Sequence, residues 1–403
     1  MGRVPLASTK GWASVAFDFR RKLRLKWFMA SGSLGFSEAL LESSYRIYLN
    51  HTKVIHYRDG RPVYSLSTPA LYSKPSANLL ARSLYRSIQN KNLPNMMSLA
   101  VNDVCNATCE HCSFFEGVED PTRTVLSTEQ VTNVIDQAQA LGISVLNFVG
   151  GEPLLRRDLP ELVKAVNKDL TTTVLFTNGS VLADRAATLR KAGLDSVYVS
   201  IDSADPERHD RFRGTPGLYG KAVAGIKQAL HVGLSTGISC TLTPESFASG
   251  ELGRMIELGK ELGVHEVLVF DAMPTGRYSA RTDLVDNQGW VEAMIDAVVP
   301  YNNDPSYPGV LVWAYTSGYR AVGCSCGTSY FYVSPYGDVM SCDFNHAVFG
   351  NALTTPLYQV WDSMTSRAEF NQAAWGGCKV KNSRYRDMDT VVTGVRDRTM
   401  VAS

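Results

Sequence analysis

Between residues 96 and 280, short β-prone apolar runs alternate with amphipathic helical stretches. The runs fall at 97–101, 145–149, 173–176, 196–200, 237–242 and 266–270. One helix is predicted from Ser127, where Gln130 three residues on completes a capping-box pattern. Others are predicted near 159–166, 183–192, 220–232 and 252–262. Strand–helix alternation implies a parallel sheet with helices outside it. Six such units curved into an arc give a partial (β/α)6 barrel, an α/β fold. Its working residues are expected at the C-terminal ends of the strands.

The flanks break this rhythm. Residues 1–95 form an N-terminal extension in which Arg20, Arg21, Lys22, Arg24 and Lys26 interleave with Phe17, Phe19, Leu23, Leu25, Trp27 and Phe28. That pattern fits a packed helix with snorkelling basic side chains, or a basic amphipathic helix on a membrane surface. A hairpin is predicted around Asp59-Gly60, and then a helix carrying Leu79, Leu80, Leu84 and Ile88. Over 281–403, a helix near 290–299 leads into a Pro-, Tyr- and Gly-rich stretch, and the whole is read as a C-terminal α+β domain.

Composition narrows the picture little. The chain has 403 residues, 44% apolar and 20% charged, with net charge +1. Such a balance points to no nucleic-acid partner. No apolar run is long enough to span a bilayer and no secretory signal is visible, so a cytoplasmic location is expected, with a membrane-peripheral one as the alternative. The eight cysteines change the picture more. A large chain without an export signal does not need disulfide staples. Three cysteines sit near position 110 and four between 324 and 378, a clustering that reads as metal or cluster ligation. Cys240, alone in an apolar run, reads as a small core residue.

The first strand runs into Cys105-Asn106-Ala107-Thr108-Cys109-Glu110-His111-Cys112. Three thiolates at spacings of four and three residues can wrap a cubane cluster from one side and leave one iron open. The competing reading is zinc with His111 as fourth ligand, which the adjacency of His111 to Cys112 makes awkward. The second strand ends in Gly150-Gly151-Glu152-Pro153, where two glycines admit close backbone approach of a ligand. The third ends in Thr177-Asn178-Gly179, and the fourth in Ser200-Ile201-Asp202, whose two polar side chains share a side of an extended segment. Arg213 follows as a bidentate carboxylate partner or a surface salt bridge, and the sixth strand leads to Pro274-Thr275-Gly276-Arg277.

Taken together, these motifs resemble the radical S-adenosylmethionine (SAM) superfamily over about 96–280. The Cys105–Cys109–Cys112 spacing is its C-x3-C-x2-C signature, with His111 where an aromatic residue is common. The resemblance implies a [4Fe–4S] cluster on those cysteines, with the SAM amino and carboxylate groups on the open iron. It places Gly150, Gly151, Glu152, Asn178, Ser200, Asp202 and Arg213 along SAM and puts 274–277 near the adenine or the substrate. Reductive cleavage of SAM would give a 5′-deoxyadenosyl radical that takes a substrate hydrogen. An electron donor such as flavodoxin or ferredoxin is implied as partner.

Cys326, ten residues, Gly337, four residues and Cys342 read as C-x10-G-x4-C around a Pro-x-Gly hairpin, followed by Gly350-Asn351 and Trp361. This resembles the opening of SPASM and twitch domains, although the later C-x2-C-x5-C-x3-C run is absent. One auxiliary [4Fe–4S] cluster on Cys324, Cys326, Cys342 and Cys378 is expected; a degenerate domain without it is the alternative. The substrate expected is a peptide or natural-product precursor, with a lipid or membrane-bound substrate as second choice. A non-catalytic iron–sulfur or zinc scaffold is the reading from another class; it would need the cysteines but not Gly150–Glu152 or Ser200–Asp202.

Overall fold

The computed structural model of the chain describes residues 49–89, 91–114, 122–318, 320–367, 370 and 377–383. The basic aromatic stretch at 17–28 and the side chains of Leu84 and Ile88 lie outside the described residues. A small hairpin comes first, β1 (His56–Arg58) against β2 (Arg61–Val63), with Asp59 and Gly60 both left-handed at φ 50° and 74°. Two left-handed central residues give the turn whose twist suits a two-residue hairpin.

Six parallel strands then form the arc: β3 (Met96–Ala100), β4 (Val145–Val149), β5 (Thr172–Thr177), β6 (Ser196–Ser200), β7 (Ser235–Leu242) and β8 (Glu266–Asp271). Helices Thr128–Leu141, Leu159–Ala165, Leu182–Ala192, Leu218–His231 and Glu251–Leu262 alternate with them, the first with Ser127 and Gln130 in a full capping box. Beyond the six, β9 (Gly309–Val312) adds a further parallel strand on β8. On the other edge, β10 (Tyr330–Val333) pairs parallel with β3, and β11 (Asp338–Cys342) and β12 (Asn345–Asn351) follow antiparallel. The C-terminal cysteine hairpin thus continues the barrel's own sheet. The sheet stays open, with β12 and β9 at its edges.

Alternation along the strands sorts residues into two cores. Leu146, Leu175, Val197, Val267 and Val310 face the outer helices, whereas Val145, Val174, Tyr198, Leu268 and Leu311 face inward. Both faces are buried, so the strands read as nearly continuous apolar runs. The inward layer packs on Leu49, Val63, Tyr64, Leu66, Ala70, Leu71 and Leu80, so the N-terminal extension plugs the bottom of the barrel. Gly237 makes room within it, because a Cβ there would stand 2.8 Å from the Tyr198 ring. Two positions further up the same strands the inward residues are Asn147, Phe176, Ser200 and Phe270, and these line a cavity. An apolar floor therefore carries a more polar layer.

Glu266 is the exception on the floor. One carboxylate oxygen accepts the Leu66 N–H at 2.8 Å, the Ser65 hydroxyl at 3.2 Å and the Tyr198 hydroxyl; the other is buried without a partner. Burial pushes its carboxyl up to about 7. A carboxyl raised on folding binds more protons folded than unfolded, so stability falls as pH rises toward the folded pKa and levels off above it. In thermal melts from pH 5 to 8, the stability of the wild type relative to Glu266→Gln should fall up to about pH 7 and then level off. Identical slopes in the two proteins would refute the assignment.

Candidate active site

A cavity of about 290 Å³ lies at the C-terminal ends of the strands and touches both cysteine groups. Its first wall is the loop after β3. The loop is held from three sides by backbone hydrogen bonds. Thr108 and Glu110 N–H groups donate to the carbonyls of Arg213 and Phe212 at 3.0 Å, and Arg277 N–H donates to the Cys112 carbonyl at 3.0 Å. Gly151 and Glu152 N–H groups donate to Asn102 and Val104 at 3.1 and 2.8 Å. The Arg277 guanidinium adds a bond to the Cys109 carbonyl at 3.1 Å. The Pro274–Arg277 segment therefore braces the cysteine loop from the end of β8.

The glycines have a related task. A Cβ on Gly151 would lie 2.3 Å from the Val104 carbonyl oxygen and 3.0 Å from the Cys105 nitrogen. Gly150, at φ +145°, would meet the Asn102 carbonyl at 2.6 Å. The close approach that demands glycine is thus first of all that of the cysteine loop.

Cys105, Cys109 and Cys112 line the cavity and pack around Ala107 and Leu218. Burial pushes the Cys105 thiol up to about 12, so holding it as thiolate needs a bound cation's charge. The His111 ring stacks on Phe212 at 4.8 Å and 13°. Three thiols from one short loop, on the wall of a cavity, fit a cubane with one iron left for a small ligand.

Glu152 is buried, and its carboxylate accepts the Thr177 hydroxyl at 2.6 Å and the Leu154 and Asn178 N–H groups at 3.0 and 2.7 Å. It ties the end of β4 to that of β5, and Asn178 Nδ2 continues to Asn106 of the cysteine loop at 2.8 Å. Arg213 is no surface salt bridge. Its Nε donates to Asp202 at 2.6 Å, with the two side chains 10% and 2% exposed. Asp202 also accepts the Thr241 N–H at 2.8 Å. Burial alone would raise the Asp202 carboxyl, but the guanidinium overrides it and holds it near 2. Arg213 reaches the cavity wall and Asp202 sits behind it. Ser200 lines the cavity and shares a 3.2 Å hydrogen bond with Ser239.

On the far wall, Cys324, Cys326, Cys342 and Cys378 come together. Cys326 lies close enough to Cys324 and Cys342, and Cys378 to both of those, for their charges to interact. All four line the same cavity as the first three. Four thiols fit a fully ligated cubane.

Sequence reasoning missed several wall residues. Ser239 and Thr241 follow from the inward alternation of β7. Asp271, Trp313, Tyr330, Tyr332 and Asp343 had no such signal, because their strands or neighbours lie outside the βα rhythm or at its end. Asp343 is hydrogen-bonded to Tyr330, and burial pushes its carboxyl up to about 6. Asp271 Oδ1 and the Tyr332 hydroxyl are buried without partners.

Comparison with known proteins completes the site. The radical SAM superfamily matches residues 99–256 and an iron–sulfur cluster-binding domain matches 324–386. The AdoMet-dependent heme synthase of Methanosarcina barkeri is 28% identical over 293 residues, 68% of this chain and 83% of that protein. The GTP 3′,8-cyclase of Petrotoga mobilis is 30% identical over 220 residues, 52% of this chain and 68% of that one. Streptococcus suis SuiB, solved with its precursor peptide SuiA, shares the fold at TM-score 0.56 and 17% identity, over 84% of this chain and 78% of its own. The chain belongs to the radical SAM superfamily, with a C-terminal SPASM iron–sulfur domain.

Proposed function

We propose that this enzyme cleaves SAM on the Cys105–Cys109–Cys112 cluster and abstracts a hydrogen atom from a peptide substrate held between its two cysteine groups. Its cofactors are SAM and a [4Fe–4S] cluster, which supplies the electron for cleavage. The C-terminal domain is of an iron–sulfur cluster-binding class. The carrying observation is the single cavity that joins both cysteine groups. The free Nη groups of Arg213 suit the SAM carboxylate, with Asp202 positioning the guanidinium; Ser200 and Ser239 suit the ribose. Gly150–Glu152 and Asn178 shape the methionine end. A reductant such as flavodoxin or ferredoxin delivers electrons.

The peptide reading rests on the lining. Among the described residues that line the cavity, the basic side chains are His111 and Arg213, and Arg213 is paired with Asp202. A nucleoside triphosphate, the substrate in the name of one relative, calls for several cations. Here the wall beyond the SAM side is aromatic, from Phe270, Trp313 and Tyr332, with the unpartnered Asp271 Oδ1 ready to accept an amide or hydroxyl proton. SuiB, with the same fold, was solved with a peptide. Peptidomes of cells producing the wild type or Cys109→Ala should differ by a peptide altered in mass only with the active enzyme. Changes confined to lipids or small metabolites would overturn the peptide reading. No helix among the described residues is long and apolar enough to cross a membrane.

A further inference from the structure

On the reading that Cys324, Cys326, Cys342 and Cys378 hold one cluster, we infer that Lys381 is a positioning residue that seats Cys378 as its fourth ligand. Cys378 arrives on a short segment, 377–383, separated in sequence from the other three thiols. Two buried lysines anchor the segment: Lys379, whose ammonium lies 4.8 Å over the Phe370 ring, and Lys381, which ties it to the barrel. Lys381 is 1% exposed, and its ammonium is paired with Asp271 at the end of β8, each side chain 2% exposed. The ammonium also lies 5.0 Å over the Trp290 ring. The Lys381 carbonyl accepts the Asp286 N–H at 2.8 Å, and Asp286 Oδ1 accepts the Ser383 N–H at 3.2 Å.

The link from lysine to thiol is rigid. Lys379–Lys381 is one 3-10 turn capped by Cys378, and the Lys381 N–H donates back to the Cys378 carbonyl at 3.1 Å. Seating the ammonium therefore sets the position of the sulfur. Lysine is rarely buried completely unless it is paired, and an apolar residue would anchor a tail at lower desolvation cost. A carboxylate at one fixed point on the barrel, by contrast, selects one seating of the tail. The same pair orients Asp271 so that one oxygen binds the lysine and the other, unpartnered, stays beside the cavity. Tail, barrel strand and cavity wall are thereby joined at one ion pair.

The test uses full-length Cys105→Ala/Cys109→Ala/Cys112→Ala protein, which isolates the C-terminal site. This parent should hold about four irons, those of one cubane. Oxidised with ferricyanide, a cubane with four thiolates should resist, whereas one with three should give up one electron and one ferrous ion and leave an EPR-active three-iron cluster. Cys378→Ser in the parent should show that signal, and Lys381→Met should reproduce it. Because Lys381→Met leaves Asp271 buried and unpaired, Lys381→Met/Asp271→Asn is the second variant. It should melt closer to the parent yet keep the three-iron signal. A four-iron cluster that resists oxidation in either lysine variant overturns the inference. A folded parent without iron overturns instead the four-thiol reading on which it rests.

Discussion

Gly151→Val is expected to strip the protein of the iron held by Cys105, Cys109 and Cys112. The Cβ alone would stand 2.3 Å from the Val104 carbonyl oxygen and 2.5 Å from its carbon, inside the backbone that leads to the first ligand. Overpacking of this kind costs about 1–3 kcal/mol when neighbours can yield. Here the neighbour is main chain, already tied by the Gly151 and Glu152 N–H groups to Asn102 and Val104. The loop itself has to move. Iron should fall by about four per chain, the content of one cubane, with SAM cleavage lost in parallel. A valine variant with full iron that no longer binds SAM would show that the glycine serves the ligand and not the loop. Iron and sulfide analysis with a SAM binding assay separates the outcomes.

Arg213→Gln has the other large effect. Removing the guanidinium leaves Asp202 as an unpaired charge at 2% exposure. Breaking a buried pair from one side costs about 3–5 kcal/mol. The double variant Asp202→Asn/Arg213→Gln removes both charges and should recover most of that stability, yet still fail to bind SAM, because the carboxylate partner is gone. A single variant as stable as the wild type would contradict the buried pair. A double variant that binds SAM normally would contradict the role of Arg213. Denaturant melts and equilibrium binding read the two effects independently.

The barrel was legible because its strands obey one repeating rule. Every strand from β3 to β8 lies within two residues of its expected span, as with 196–200, and the Ser127–Gln130 capping box forms as its spacing predicts. β9 was missed because Gly309–Val312 is only four residues long and follows a proline, leaving no room for alternation to show. The parallel pairing of Tyr330–Val333 with Met96–Ala100 was hidden for another reason: no local pattern records a partner more than two hundred residues away. For the same reason, nothing in the sequence of 281–403 shows that its cysteine hairpin joins the barrel's sheet.

The site divides in the same way. The three-cysteine loop announces itself because its ligands are local in sequence. The carboxylates Glu152 and Asp202 were singled out, but not what they hold: their bonds to Thr177, Asn178, Thr241 and Arg213 depend on strands brought side by side. Lys381 and Asp271 carry no motif, and only the closure of the tail on the end of β8 pairs them.

The central claim is that this chain cleaves SAM at the Cys105–Cys112 loop. The most direct measurement is product analysis of anaerobically reconstituted protein, reduced with dithionite and given SAM, beside Cys105→Ala treated identically. The wild type is expected to release 5′-deoxyadenosine and methionine, slowly even without substrate, and the variant none above the protein-free control. Equal 5′-deoxyadenosine from both proteins, or none from an iron-replete wild type, would contradict it.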